Sequence, residues 1–77
     1  MEKNILSVFG DRLHALRLEH GGTQKSMAEY LGCTASNYQK MEYGQINVPA
    51  STLVALSQHF HVSVDYLLGL SDKKEIE

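Results

Sequence analysis

The feature that most constrains this chain is its punctuation. Gly21-Gly22 is followed by Thr23, Gly32 by Thr34, Gly44 by Pro49, and Ser63 stands shortly before Gly69. A threonine or serine ahead of an apolar run accepts the free amide hydrogens of a helix's first turn. A glycine after the run takes the left-handed conformation in which a helix stops. The marks recur at short intervals, so the chain reads as a succession of short helices separated by tight corners.

The apolar positions agree. Leu6, Phe9, Leu13, Leu16 and Leu18 recur mostly at helical spacing and predict a first helix over about Ser7 to His20. Thr23 caps a second helix running to about Leu31, with Met27, Ala28 and Leu31 inward and Gln24, Lys25, Ser26 and Glu29 outward. Thr34 caps a third, to about Tyr43, whose inner face is Tyr38 and Met41 with Cys33 just before the cap. Residues 45–48 form a loop, and Pro49 suits the first turn of a fourth helix reaching about Phe60. Leu53, Leu56 and Phe60, with Val54 beside them, supply its core stripe. His61 falls where a glycine often ends a helix, and histidine is enriched among residues that tolerate positive φ. Ser63 caps a fifth helix, Val64 to Leu68, stopped by Gly69. The fold class expected is therefore all-α, a compact five-helix domain over residues 9–70, with a lead-in at 1–8 and a charged, frayed tail at 71–77.

With 77 residues there is room for one domain, because a chain this short buries only about 60% of its unfolded surface. Hydrophobic residues at 43% and charged residues at 21% argue for a folded globule over a disordered segment. No apolar run is long enough to span a bilayer, and Met1 to Asn4 lead into no signal-peptide core, so a cytoplasmic protein without membrane attachment is expected. Cys33 is the single cysteine and cannot form an internal disulfide. Seven Lys and Arg against nine Asp and Glu give a formal charge of −2. That balance predicts weak non-specific attraction to nucleic acid, but it does not say where the positive charges sit.

The informative unit is Gln24 to Met41. Two helices meeting at a tight angle need a small side chain where their backbones approach, a glycine at the corner and apolar residues on both inner faces. Ala28, Gly32 and Tyr38 with Met41 meet those needs in order. The third helix then turns its first turn and outer face, Ala35, Ser36, Gln39, Lys40 and Tyr43, toward whatever the domain binds. A helix fits the major groove of B-DNA, and short polar side chains with a lysine suit base edges and phosphates.

The stretches Phe9 to Arg17, Thr23 to Cys33, Met41 to Gly44, Val48 to Leu53 and Val62 to Gly69 together resemble the Cro/CI/Xre helix-turn-helix regulators. The resemblance implies a regulator of transcription, commonly a repressor acting as a homodimer on a palindromic double-stranded DNA operator, with no enzymatic activity and no cofactor. It implies that Gln24 anchors a phosphate, that Lys25, Thr34, Asn37 and Tyr43 lie near the DNA backbone, and that Ala35, Ser36, Gln39 and Lys40 form the base-reading surface. It also implies an ion pair between Arg17 and Glu42. The sequence departs from the family at Tyr38, where isoleucine or valine is usual, so its hydroxyl needs a partner or water. It departs again at Ala35, which offers only a methyl contact, and at Tyr43, where arginine is frequent. A dimer surface is expected near Ile46, Leu70 and Ile76, apolar residues without an evident place in a small core. The alternative is a protein-binding module of the same fold, such as an antitoxin-like partner.

His59, His61 and Cys33 do not make a metal site, because side chains two apart cannot converge on one helix face and no further ligand completes a tetrahedron. Cys33, beside the start of the third helix, could be a reactive thiol, but the resemblance implies an apolar core site there and so an inert buried cysteine. No arrangement of residues supports nucleophilic catalysis.

Overall fold

The computed structural model describes residues 4–76; Met1 to Lys3 and Glu77, the ends of the expected lead-in and tail, lie outside the described residues. Among the described residues there are five helices: α1 (Ile5–Glu19), α2 (Gln24–Leu31), α3 (Ala35–Glu42), α4 (Ala50–Phe60) and α5 (Val64–Leu67). α1 packs against α3 and α5, α2 against α3, and α4 against α5.

α1 starts earlier than the apolar spacing suggests, because Asn4 caps it by accepting the Ser7 amide at 2.9 Å. Thr23, Thr34 and Ser63 cap α2, α3 and α5, each accepting the amide three residues on. α4 begins at Ala50, one residue after Pro49, whose extended ψ of 149° keeps it outside the helix while its carbonyl accepts from Thr52 and Leu53. His61 ends α4 in the left-handed region (φ 57°, ψ 44°), the same region in which Gly32 ends α2.

The core joins Phe9, Leu13 and Leu16 of α1 to Met27 and Ala28 of α2, Tyr38 and Met41 of α3, Leu56 and Phe60 of α4, and Val62 and Leu67. Leu13, Leu56 and Leu67 are fully buried, and truncating any of them to alanine should cost about 2–5 kcal/mol. Three expectations change. Leu18 and Val54 point outward, since the buried stripes run through Leu13 and Leu16 and through Leu56 and Phe60. The buried place beside Leu56 goes to Ser57, whose hydroxyl is satisfied by donating to the Val62 carbonyl at 2.5 Å. Ile46, expected outside the core, packs against it, as does half-buried Cys33.

The tail, expected to be frayed, is held over Ser71 to Lys74. The Ser63 amide donates to the Lys74 carbonyl at 2.7 Å, and Arg12 donates from one nitrogen to the carbonyls of Tyr66 (2.5 Å) and Ser71 (2.7 Å). The Arg12 guanidinium also lies 4.2 Å over the Tyr66 ring. These bonds fold the tail back across the start of α5 and one flank of α1.

Candidate nucleic-acid interface

α2 and α3 form the expected pair. The Thr23 hydroxyl accepts the Ser26 amide at 2.9 Å and the Ser26 hydroxyl accepts the Thr23 amide at 3.0 Å, so the start of α2 is closed on both sides. Gly32 turns the corner at φ 73°, and the Cys33 amide returns to the Ala28 carbonyl at 3.0 Å. Ala28 is buried at that corner, where a larger side chain would push the helices apart.

α3 is two-sided. Tyr38, Met41 and Glu42 are buried, whereas Ala35, Ser36, Asn37, Gln39 and Lys40 are all exposed, together with Tyr43 at its end. Thr34 is exposed too, its hydroxyl occupied as the cap by the Asn37 amide at 3.0 Å. Lys25 is exposed on the first turn of α2. On the outer face of α3, Gln39 Nε2 donates to the Tyr43 hydroxyl at 3.3 Å. Gln24 is half-buried and faces inward, its Nε2 donating to Glu42 Oε1 at 3.3 Å.

The back of α3 is held by charge. Arg17 Nε meets Glu42 Oε2 at 2.6 Å and Arg17 Nη2 meets Oε1 at 3.2 Å, a two-point contact from α1 to the end of α3. Arg17 Nη1 donates to the Gly22 carbonyl at 3.2 Å, tying in the turn before α2. His14 Nδ1 lies 2.9 Å from Glu42 Oε1 and 3.2 Å from Arg17 Nη2. Protonated there it donates to the carboxylate; unprotonated it accepts from the guanidinium. Burial alone would raise the Glu42 pKa. The groups around it, the Arg17 guanidinium first, then the Tyr38 hydroxyl dipole and the donors His14 and Gln24, outweigh that and bring it down to about 2. The Tyr38 hydroxyl is itself fully buried and, among the described residues, has no hydrogen-bond partner in ordinary geometry, so its pull on Glu42 is that of a nearby dipole. Burial first, and Glu42 second, push the phenol well above its usual range.

Three parts of this arrangement were not read from the sequence. His14 and Gln24 complete the shell around Glu42, and no local pattern names such partners. Gly10 lies in the middle of α1, where a Cβ would run into the carbonyl of Glu42 and stand 3.0 Å from that of Met41. A glycine inside a helix costs stability relative to alanine, and that cost was the available signal that another backbone comes close here.

Two helices joined at a left-handed glycine, the second anchored by its inner face and exposed along its outer one, define a helix-turn-helix domain. The helix-turn-helix family model matches residues 13–67, and the chain belongs to this family, among the Cro/CI/Xre-type regulators. It is 41% identical over 61 residues to the SPbeta prophage-derived uncharacterized HTH-type transcriptional regulator YonR of Bacillus subtilis, covering 79% of this chain and 56% of that one. It is 38% identical over 71 residues to the HTH-type transcriptional regulator ImmR of the same organism, covering 88% and 56%. The chain thus spans a little over half the length of these curated relatives. Among solved structures, the restriction-modification controller protein C.AhdI of Aeromonas hydrophila superposes with a TM-score of 0.71 at 31% identity, over 80% of this chain and 94% of that one. The clp gene regulator ClgR of C. glutamicum shares the fold, with a TM-score of 0.76 at 22% identity over 87% of each chain. No helix among the described residues is long and apolar enough to cross a membrane.

Proposed function

We propose that this chain is a cytoplasmic, sequence-specific DNA-binding regulator of transcription, acting as a repressor and not as an enzyme, that reads the major groove with α3. The observation that carries the reading is the asymmetry of α3, a helix locked into the core on one side and free on the other along a row of short polar side chains ending in Lys40 and Tyr43. Ser36, Gln39 and Lys40 discriminate bases, with Ala35 offering its methyl to a thymine. Lys25, Asn37 and Tyr43 approach the phosphates beside the Thr34 cap, and phosphate contacts of this kind fix the register in which bases are read. Gln24 reaches a phosphate by exchanging its bond to Glu42 for one to DNA.

One reading helix covers few base pairs, so the working form is a homodimer whose third helices enter successive major grooves about 34–36 Å apart. Leu70 and Ile76, exposed at 70% and 58%, are the apolar residues proposed to meet the second copy. The test is selection of bound sites from random duplex DNA. A two-fold-related motif is expected, and Lys40→Ala should weaken binding to it by about 1–3 kcal/mol where Lys40 reads a guanine. An unenriched pool, with the protein instead recovered bound to an unrelated polypeptide, would replace this reading with that of a protein-binding module.

A further inference from the structure

The exposed pair on α3 has a chemistry of its own. Gln39 and Tyr43 are four residues apart on a helix, the spacing that places side chains on one face, and the Gln39 amide nitrogen donates to the Tyr43 hydroxyl at 3.3 Å. A lone glutamine on a helix surface swings through three torsions and offers either end of its amide. Held by Tyr43, it keeps the carbonyl oxygen and the second N–H free, pointing away from the phenol. That remaining pair, one acceptor and one donor side by side, is the complement of an adenine edge in the major groove, where N7 accepts and the N6 amino group donates.

A hydroxyl alone does not fix which end of an amide it meets, because it both donates and accepts. Its other partner decides. Tyr43 is 59% exposed at the end of α3, and the proposed docking brings that end to the DNA backbone. Once the phenol donates its proton to a phosphate oxygen, only its lone pairs remain for Gln39, so the amide must turn its nitrogen inward. The carbonyl oxygen and the second N–H then face the bases.

We propose that Tyr43 is a positioning residue for base readout: through its hydroxyl it makes a backbone phosphate select the amide orientation with which Gln39 recognises adenine. This rests on the DNA-reading function proposed above. It differs from a plain backbone role for Tyr43, which would add affinity to every sequence equally.

The experiment compares the full chain with Tyr43→Phe, Gln39→Ala and the double variant, each selecting from the same random duplex library and then titrated on the selected site and on versions changed at one base pair. Thermal melts confirm that Tyr43→Phe, which keeps the ring and removes one exposed oxygen, folds as the parent does. The position read by Gln39 is the one whose preference disappears in Gln39→Ala. At that position the parent should favour A·T, and Tyr43→Phe should reduce the preference by about 5- to 10-fold, part of what a bidentate pair confers. Preferences elsewhere should hold, and in the Gln39→Ala background Tyr43→Phe should leave the base preference unchanged. A Tyr43→Phe protein that loses affinity equally on all sequences, or loses none, overturns the proposal, as does a Gln39→Ala protein with an unaltered motif. A parent that enriches no sequence overturns instead the DNA reading on which it rests, and the two failures are thus distinct.

Discussion

Arg12 and Arg17 stand on the same helix and each ties α1 to a distant part of the chain, but by opposite chemistry. Arg17 meets a side chain: Glu42, whose carboxylate is almost wholly buried and accepts from two of its nitrogens. Arg12 meets the backbone, donating to the carbonyls of Tyr66 and Ser71 beneath a ring contact with Tyr66, while its carboxylate partner Asp72 stands fully in solvent. The first tie depends on one partner residue and fails badly when that residue is lost. The second tie is available to almost any sequence that brings the tail past Arg12, because every residue carries a carbonyl.

The largest effect should come from breaking the buried pair on one side. Arg17→Met leaves the Glu42 carboxylate buried without its main donor and should cost about 3–5 kcal/mol. Arg17→Met with Glu42→Leu should recover most of that loss, because two apolar side chains of similar volume carry no stranded charge. Urea melts of the four proteins measure the coupling; single losses that simply add would mean the two groups do not act as a pair. The pH dependence follows from the same group. Glu42 in the folded chain titrates at about 2, below its ordinary 4.5, so its stabilising contribution is fully present above the ordinary value. It is lost as pH falls through that range toward 2. The double variant should lack this part of the acid slope.

The next effect tests what lets the pair form. Gly10→Ala places a methyl against the backbone of Glu42 and Met41, and backbone atoms cannot rotate aside. α1 must move off α3, at about 1–3 kcal/mol for overpacking, from which about 1 kcal/mol of helix propensity is regained. Thermal melts measure the balance. A Gly10→Ala chain as stable as the parent would mean that α1 and α3 can separate without strain, and the contrast between the two arginines would then rest on the ion pair alone.

The same contrast explains what could be read from the sequence. Thr23, Gly32, Thr34, Ser63 and Gly69 act through their own local backbone, so the helices and corners they mark were legible residue by residue. So was the division of α3 into an inner face at Tyr38 and Met41 and an outer face at Ser36, Gln39 and Lys40. Illegible were contacts whose partner is generic or remote. The docked tail hides behind Arg12 because carbonyls have no sequence signature. Gly10 hides because its neighbour is a backbone. Val54 misled because an apolar side chain next to a core stripe resembles a member of it, and Ser57 took the buried place through a hydroxyl bond that no pattern announces. His14 and Gln24 were visible as residues, but their convergence on Glu42 depends on how three helices meet.

The smallest effects decide whether the tail tie has been assigned to the right partner. Arg12→Ala removes two bonds to carbonyls and the stacking on Tyr66 from a side chain at the edge of the fold, and should destabilise it by about 0.5–1.5 kcal/mol. It should also speed hydrogen exchange at the Ser63 amide, whose acceptor is the Lys74 carbonyl in the tail. Arg12→Lys should recover only part of the loss, because an ammonium can donate to both carbonyls from its one nitrogen, as Arg12 Nη1 does, but cannot lie flat on the Tyr66 ring. Asp72→Ala should change neither the melting curve nor the Ser63 exchange rate, since its carboxylate is fully hydrated and loses little by giving up one screened contact at 3.1 Å. If Asp72→Ala instead released the tail as Arg12→Ala does, the tie would be an ion pair after all. The two arginines would then differ only in burial and not in kind.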